Sequence, residues 1–130
     1  MRPMKLWRPG VACAVMGMPG AAPAVAVGLA PLHKEGLTGG PDKAFYLTVI
    51  NPYDTPRVFR AYVDGPGQDD ERIEIVPAKL TVKSAAQRRI TVIMRDLAPG
   101  ESREARVCAE LDQQEGQIYA RVCSTLLARR

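Results

Sequence analysis

The sequence predicts an all-β domain, and three observations carry this prediction. Glycine and proline each occur 11 times in 130 residues, which favours many turns over long helices. Apolar and polar side chains alternate in several short segments, and this period of two is typical of strands with one buried face. No segment has the apolar spacing of an amphipathic helix. We therefore expect an immunoglobulin-like Greek-key β-sandwich of seven or eight strands.

Turn residues divide the chain into its strand candidates. Residues 43–50 are rich in strand formers, place Phe45, Leu47 and Val49 on one face, and end at the turn cluster that starts with Asn51. The remaining candidates show the same alternation or are bounded by glycine and proline. The predicted strands are 28–33, 43–50, 57–64, 72–76, 80–82, 89–94, 104–111 and 117–126.

The last two predicted strands form a hairpin if the turn is placed at Glu115-Gly116. Facing residues then have numbers that sum to 231, which puts apolar pairs on one face and an opposite-charge pair on the other. The apolar pairs are Leu111–Ala120 and Ala109–Val122, and the charged pair is Glu110–Arg121.

The same register places Cys108 opposite Cys123 on the outer face of the hairpin. With a two-residue turn this pair is of the hydrogen-bonded type, with Cα atoms about 5.5 Å apart. A disulfide closing this loop would contribute about 3 kcal/mol in the chain-entropy model. A redox-active pair is the alternative, but the CxxC spacing of such pairs is missing. The sequence thus predicts a structural disulfide.

Residues 1–26 have the parts of a cleavable export signal. Three basic residues precede an uncharged apolar stretch, 11–20, and Ala24-Val25-Ala26 forms a small-x-small cleavage site. We predict cleavage after Ala26, with the site ending at Ala24 as a second possibility. The rest of the chain, 27–130, is then a single immunoglobulin-like domain, and its expected location is the periplasm.

Export also changes the charge of the chain. The formal charge of +4 falls to +1, because removing three of the 18 basic residues leaves 15 against 14 acidic ones. No basic stripe remains to neutralise phosphates, so nucleic acid is not an expected partner. No later segment is apolar for the roughly 20 residues of a membrane-spanning helix, so no membrane insertion is expected after signal cleavage.

The residue types of the predicted domain offer no catalytic constellation. His33 is the only histidine, and no cysteine or carboxylate cluster surrounds it in the sequence. Zinc-ligand spacing, a calcium loop and a phosphate-cradling glycine motif are all missing. We therefore expect no enzyme activity, no metal site and no cofactor.

Three segments taken in order resemble the N-terminal immunoglobulin-like domain of PapD-like periplasmic pilus chaperones. They are AFYLTVINPYDTPRVFRAYV at 44–63, IVPAKLTVKSAAQRRITVI at 75–93 and LAPGESREARVCAE at 97–110. The resemblance covers about residues 28–127. It implies a chaperone-like function in the assembly of pilus or other surface subunits, with a pilin-like subunit or an envelope protein as partner.

In that family, the last strand of the domain completes a subunit that lacks a strand of its own, which is binding by β-strand addition. The resemblance implies partner-binding roles for Ile118, Tyr119, Ala120, Arg121 and Val122 on the last strand. Lys34 and Arg121 are the implied candidates for anchoring a carboxylate of the partner. Two alternatives stay open: the apolar set of this strand faces the protein's own core, or the domain is a non-catalytic structural or adaptor module of an envelope assembly.

Overall fold

A computed structural model describes residues 27–112 and 120–130. The predicted signal peptide and the predicted turn at Glu115-Gly116 lie outside these residues. Within them the chain forms nine strands, and no helix there has the length and hydropathy needed to cross a bilayer. The strands are β1 (Gly28–Ala30), β2 (His33–Leu37), β3 (Lys43–Ile50), β4 (Arg57–Asp64), β5 (Ile73–Val76), β6 (Lys79–Val82), β7 (Gln87–Met94), β8 (Ser102–Leu111) and β9 (Arg121–Arg129).

The strands form two sheets, which confirms the predicted immunoglobulin-like β-sandwich. One sheet has four strands in the order β1-β3-β7-β5, and the other has five in the order β2-β9-β8-β4-β6. All strand pairs are antiparallel except β2 with β9, which run parallel.

The strand count differs from the prediction at the beginning of the domain. The predicted strand 28–33 is divided, because β1 pairs with β3 in one sheet whereas β2 pairs with β9 in the other. Pro31 lies between them, and a proline has no N–H to donate to a strand ladder. The chain therefore changes sheets at Pro31 and Leu32, and the described residues contain nine strands instead of seven or eight.

The core lies between the inner faces of the two sheets. Phe45, Leu47 and Val49 of β3 are buried, as the alternation predicts, and they pack with apolar side chains of the opposite sheet that include Phe59 of β4. Full burial of one such side chain contributes about 1.5–3 kcal/mol. This core supports the inner face of β9, on which Leu126 and Ala128 are buried.

A buried asparagine closes one end of the sandwich. The side-chain amide of Asn51 donates hydrogen bonds to the carbonyls of Thr55 and Val82, each at 3.0 Å, and its carbonyl accepts one from the N–H of Tyr53 at 2.9 Å. These bonds satisfy a buried polar group and join the β3–β4 turn to the end of β6. The predicted turn at Asn51 is confirmed.

Candidate functional site

The β8–β9 hairpin has the predicted register. The ladder runs from Ser102↔Arg129 to Glu110↔Arg121, and it contains the predicted pairs Ala109↔Val122 and Cys108↔Cys123. It ends one pair before the predicted Leu111–Ala120 pair. The inner face of the hairpin is therefore mainly apolar, with Arg103 and Ser124 as its buried polar residues, and the outer face carries charges.

Cys108 and Cys123 form a disulfide with an S–S distance of 2.02 Å. Their Cα atoms are 4.0 Å apart, which matches the closer, non-hydrogen-bonded type of antiparallel pair, about 4.5 Å, better than the hydrogen-bonded type, about 5.5 Å. The predicted pair type is therefore wrong. Which residues face each other is the same for both pair types, but the direction of their backbone N–H and C=O groups differs. The prediction of a hydrogen-bonded pair assumed a two-residue turn.

Beside the disulfide, the outer face carries a buried carboxylate. Glu110 is only 1% exposed, and its side chain pairs with the guanidinium of Arg60 and accepts a hydrogen bond from the hydroxyl of Tyr62 at 3.1 Å. The guanidinium of Arg121 in turn donates to the Tyr62 hydroxyl at 3.3 Å. Hydrogen bonding to Glu110 raises the pKa of Arg60 above its ordinary value. This network connects β4, β8 and β9.

A second acidic group lies next to the disulfide. The carboxylate of Asp64 is 3.7 Å from the guanidinium of Arg106 and 3.7 Å from that of Arg121. A carboxylate oxygen of Asp64 and the sulfur atoms of Cys108 and Cys123 all lie within 4.8 Å of one another. Because the two sulfurs are bonded to each other, neither is a thiolate, which is the form that ligates metals.

The two neighbours of β9 cover different lengths of it. β8 pairs with all of β9, whereas β2 pairs only with Thr125–Arg129, beginning at His33↔Thr125. Among the described residues, no strand pairs with positions 122–124 on the side away from β8. We call this side of residues 122–124 the open edge.

Hydrogen bonds of β9 show which backbone groups face the open edge. The N–H of Thr125 donates to the carbonyl of Leu32 at 2.9 Å, and the carbonyl of Arg129 accepts from the N–H of Thr38 at 2.8 Å. Alternate residues of a strand direct their backbone groups to the same side. The N–H and C=O of Cys123 therefore point to the side that β2 occupies further along, and the open edge can accept the backbone of another strand.

The structure describes only part of the predicted partner-binding strand. Ala120 and Val122 are partly buried and pack against the core, so they line the inner side of the strand beside the open edge. Arg121 lies on the outer side, close to Asp64 and Tyr62. The positions of Ile118 and Tyr119 lie outside the described residues.

Lys34 and Arg121 are not brought together. Lys34 is exposed and pairs in register with Leu126, five positions from Arg121, which corresponds to about 16 Å along a strand. Paired residues point to the same face, so Lys34 belongs to the face of the buried Leu126, whereas Arg121 belongs to the outer face. The structure therefore does not place them in one anion site.

Sequence reasoning missed the residues that terminate the open edge. The buried hydroxyl of Ser124 donates to the carbonyl of Pro31 at 2.6 Å, and the Leu32 side chain next to it is 60% exposed. A proline inside the predicted strand 28–33 was the available signal, because proline is rarely found in the interior of a paired strand.

No protein-family model and no curated protein matches the sequence. Solved structures do match. The E. coli chaperone DraB is 16% identical, with a TM-score of 0.62, over 81% of this chain and 55% of its own. A structure of the Salmonella enterica SafA pilin in complex with the SafB chaperone gives 16% identity and a TM-score of 0.63, over 84% of this chain and 56% of the other.

The fold is not confined to chaperones. A PapD-like domain of human CEP192 is 13% identical, with a TM-score of 0.61, over 93% of this chain and 96% of its own. The chain spans slightly more than half the length of the chaperone chains it matches. The nine-strand sandwich described above, with its parallel β2–β9 pair, thus has the fold of the PapD-like domains found in fimbrial chaperones.

Proposed function

We propose that this protein is a periplasmic, chaperone-like factor that binds surface subunits by β-strand addition at the open edge. The observation that carries the proposal is the incomplete coverage of β9, since β2 pairs only from Thr125 onward and the backbone groups of Cys123 face the uncovered side. An extended segment of a partner gains affinity from such backbone groups and specificity from alternate side-chain positions.

Side chains on both sides of the open edge fit a protein partner. Ala120 and Val122 offer small apolar surfaces on the inner side, and Arg121 lies on the outer side. Ile118 and Tyr119 lie outside the described residues, and we propose from the sequence alone that they contact the partner too. Lys34 is exposed and attracts an acidic group of the partner near the start of β2. A pilin-like subunit or another envelope protein is the partner class that we propose.

The solved structures support this partner class. Two of the matching structures are complexes, one of a pilin with a chaperone and one of a chaperone with a tip adhesin. Together with the predicted signal peptide, they favour a periplasmic location and a non-enzymatic function for this chain.

The test begins with the tagged chain produced in its own source organism. A subunit that co-purifies in stoichiometric amount is identified by mass spectrometry and then co-expressed with the chain. Co-purification alone does not decide the mode of binding, so amide hydrogen exchange is measured in the free chain and in the complex. We expect the Cys123 amide to exchange at least tenfold more slowly in the complex. The Thr125 amide, already bonded to Leu32, is the internal control.

Substitutions of two alanines by aspartate test whether binding requires the open edge rather than another part of the surface. Ala120→Asp puts a charge in the inner row beside the open edge, and we expect at least tenfold weaker binding. Ala44→Asp places the same charge on exposed β3 in the other sheet, and binding should not change. A stoichiometric complex in which Cys123 exchanges as fast as in the free chain would overturn strand addition at this edge.

The second candidate is an adaptor module that remains in an envelope assembly. The similarity to a domain of human CEP192 favours it, because that PapD-like domain has the same fold outside the fimbrial chaperones. Release distinguishes the two functions: a chaperone transfers its subunit to the growing assembly and is recovered alone, whereas an adaptor is recovered with the finished assembly.

A further inference from the structure

The open edge has a defined end, and an exposed leucine is located there. The carbonyl of Pro31 accepts the hydroxyl of Ser124 at 2.6 Å, and the carbonyl of Leu32 accepts the N–H of Thr125 at 2.9 Å. Both bonds attach the Pro31-Leu32 backbone to β9. The backbone of Leu32 is thus held in place, but its side chain is 60% exposed.

We propose that Leu32 determines where a strand added to β9 ends, and that it binds an apolar side chain at that end of the strand. This inference rests on the proposed function. An added strand that is hydrogen-bonded to Cys123 cannot continue beside Thr125, because β2 already occupies that side of β9. The end of the added strand therefore meets Leu32, and this contact sets its register relative to β9.

The chemistry of the surroundings indicates an extended polypeptide as the occupant. Backbone groups of Cys123 face the edge, and the partly buried Val122 lies on its inner side, so the edge offers main-chain hydrogen bonds beside an apolar surface. The next residue, His33, is 3.4 Å from the carboxylate of Glu35 and is engaged there. Leu32 is the large exposed apolar side chain at this end, and we expect the partner segment to present a leucine, isoleucine, valine or phenylalanine to it.

A second exposed leucine of the same strand region is a matched control. Leu37 is 77% exposed and pairs in register with Arg129, about 16 Å along the strand from the open edge. We expect Leu32→Ser to raise the Kd for the co-purified subunit about tenfold, because a contact between two apolar side chains is lost. Leu37→Ser should change the Kd less than twofold. Both side chains are exposed, so both variants should keep the Tm of the unchanged chain.

Photo-cross-linking measures the register of the added strand, because it identifies the subunit position that lies next to Leu32. A benzoylphenylalanine in place of Leu32 should attach to one position of the subunit, whereas the same group in place of Leu37 should give no product. If the Leu32→Ser variant binds the subunit with an unchanged Kd, or if the cross-links spread over many subunit positions, the proposed role of Leu32 is wrong. Strand addition itself still stands in that case, provided that the Cys123 amide is protected. An unprotected Cys123 amide would reject both proposals.

Discussion

Glu110 shows how a charged residue can be buried on an outward-facing position. Its neighbours on the outer face of the five-stranded sheet, Arg60 and Tyr62 of β4, cover it and provide an ion pair and a hydrogen bond. A buried carboxylate is tolerated when such partners replace the lost water. Through these two side chains, Glu110 connects β8 to β4.

We predict that Glu110→Gln lowers the free energy of unfolding by about 2 kcal/mol, because the ion pair with Arg60 is lost while the amide remains buried. Urea denaturation of the two proteins measures the difference. Glu104→Gln is the control, since Glu104 lies on the same face of the same strand but is exposed, and a change within about 0.5 kcal/mol is expected there. Equal effects of the two substitutions would contradict the role of Glu110.

At the scale of elements, β9 is held in two different ways along its length. From Thr125 onward it lies between β8 and β2, whereas at positions 122–124 it is attached by strand pairing to β8 alone. The disulfide from Cys123 to Cys108 lies in this less supported part. It holds the open edge to the sheet while leaving the outward backbone groups of Cys123 accessible to another strand.

The double variant Cys108→Ala/Cys123→Ala should lose about 3 kcal/mol of stability, because the disulfide closes a loop with a sequence separation of 15. Hydrogen exchange should accelerate more at the amides of Val122 and Ser124, which pair with β8, than from Thr125 to Arg129, where β2 contributes. Urea denaturation and exchange measurements check these expectations. A uniform acceleration along β9 would show that the disulfide has no local effect on the open edge.

For the whole molecule, the change of sheets at Pro31 and Leu32 has the largest consequence. The first strand region contributes β1 to the four-stranded sheet and β2 to the five-stranded sheet, so neither piece covers its neighbour completely. An uncovered strand edge is a place where other chains pair, and most proteins avoid it. In this protein the same feature is the one that a strand-addition function needs.

The processing site after Ala26 stays a prediction, and the residue that follows it is Val27, which is only 7% exposed and belongs to the core. We predict that the processed protein starts at Val27, which N-terminal sequencing and intact-mass measurement can check. Ala26→Asp should block cleavage, whereas Ala26→Gly should allow it, because the site requires a small residue. A chain that starts at Val25 would move the site to Ala24, and one that retains Trp7 would exclude processing.

The sequence by itself determined the class of fold, most strand positions and the register of the β8–β9 hairpin. These follow from local alternation, from turn residues and from the pairing of Glu110 with Arg121 and Cys108 with Cys123, all of which are properties of nearby residues. Lys34 and Arg121 were candidates for one site in the sequence, but they lie on opposite faces of the sheet. Only the tertiary structure decided that β2 begins to pair with β9 at Thr125, that the hydroxyl of Ser124 bonds to the carbonyl of Pro31 and that Leu32 stays exposed. Those facts depend on contacts between residues more than 90 positions apart, which no local pattern encodes.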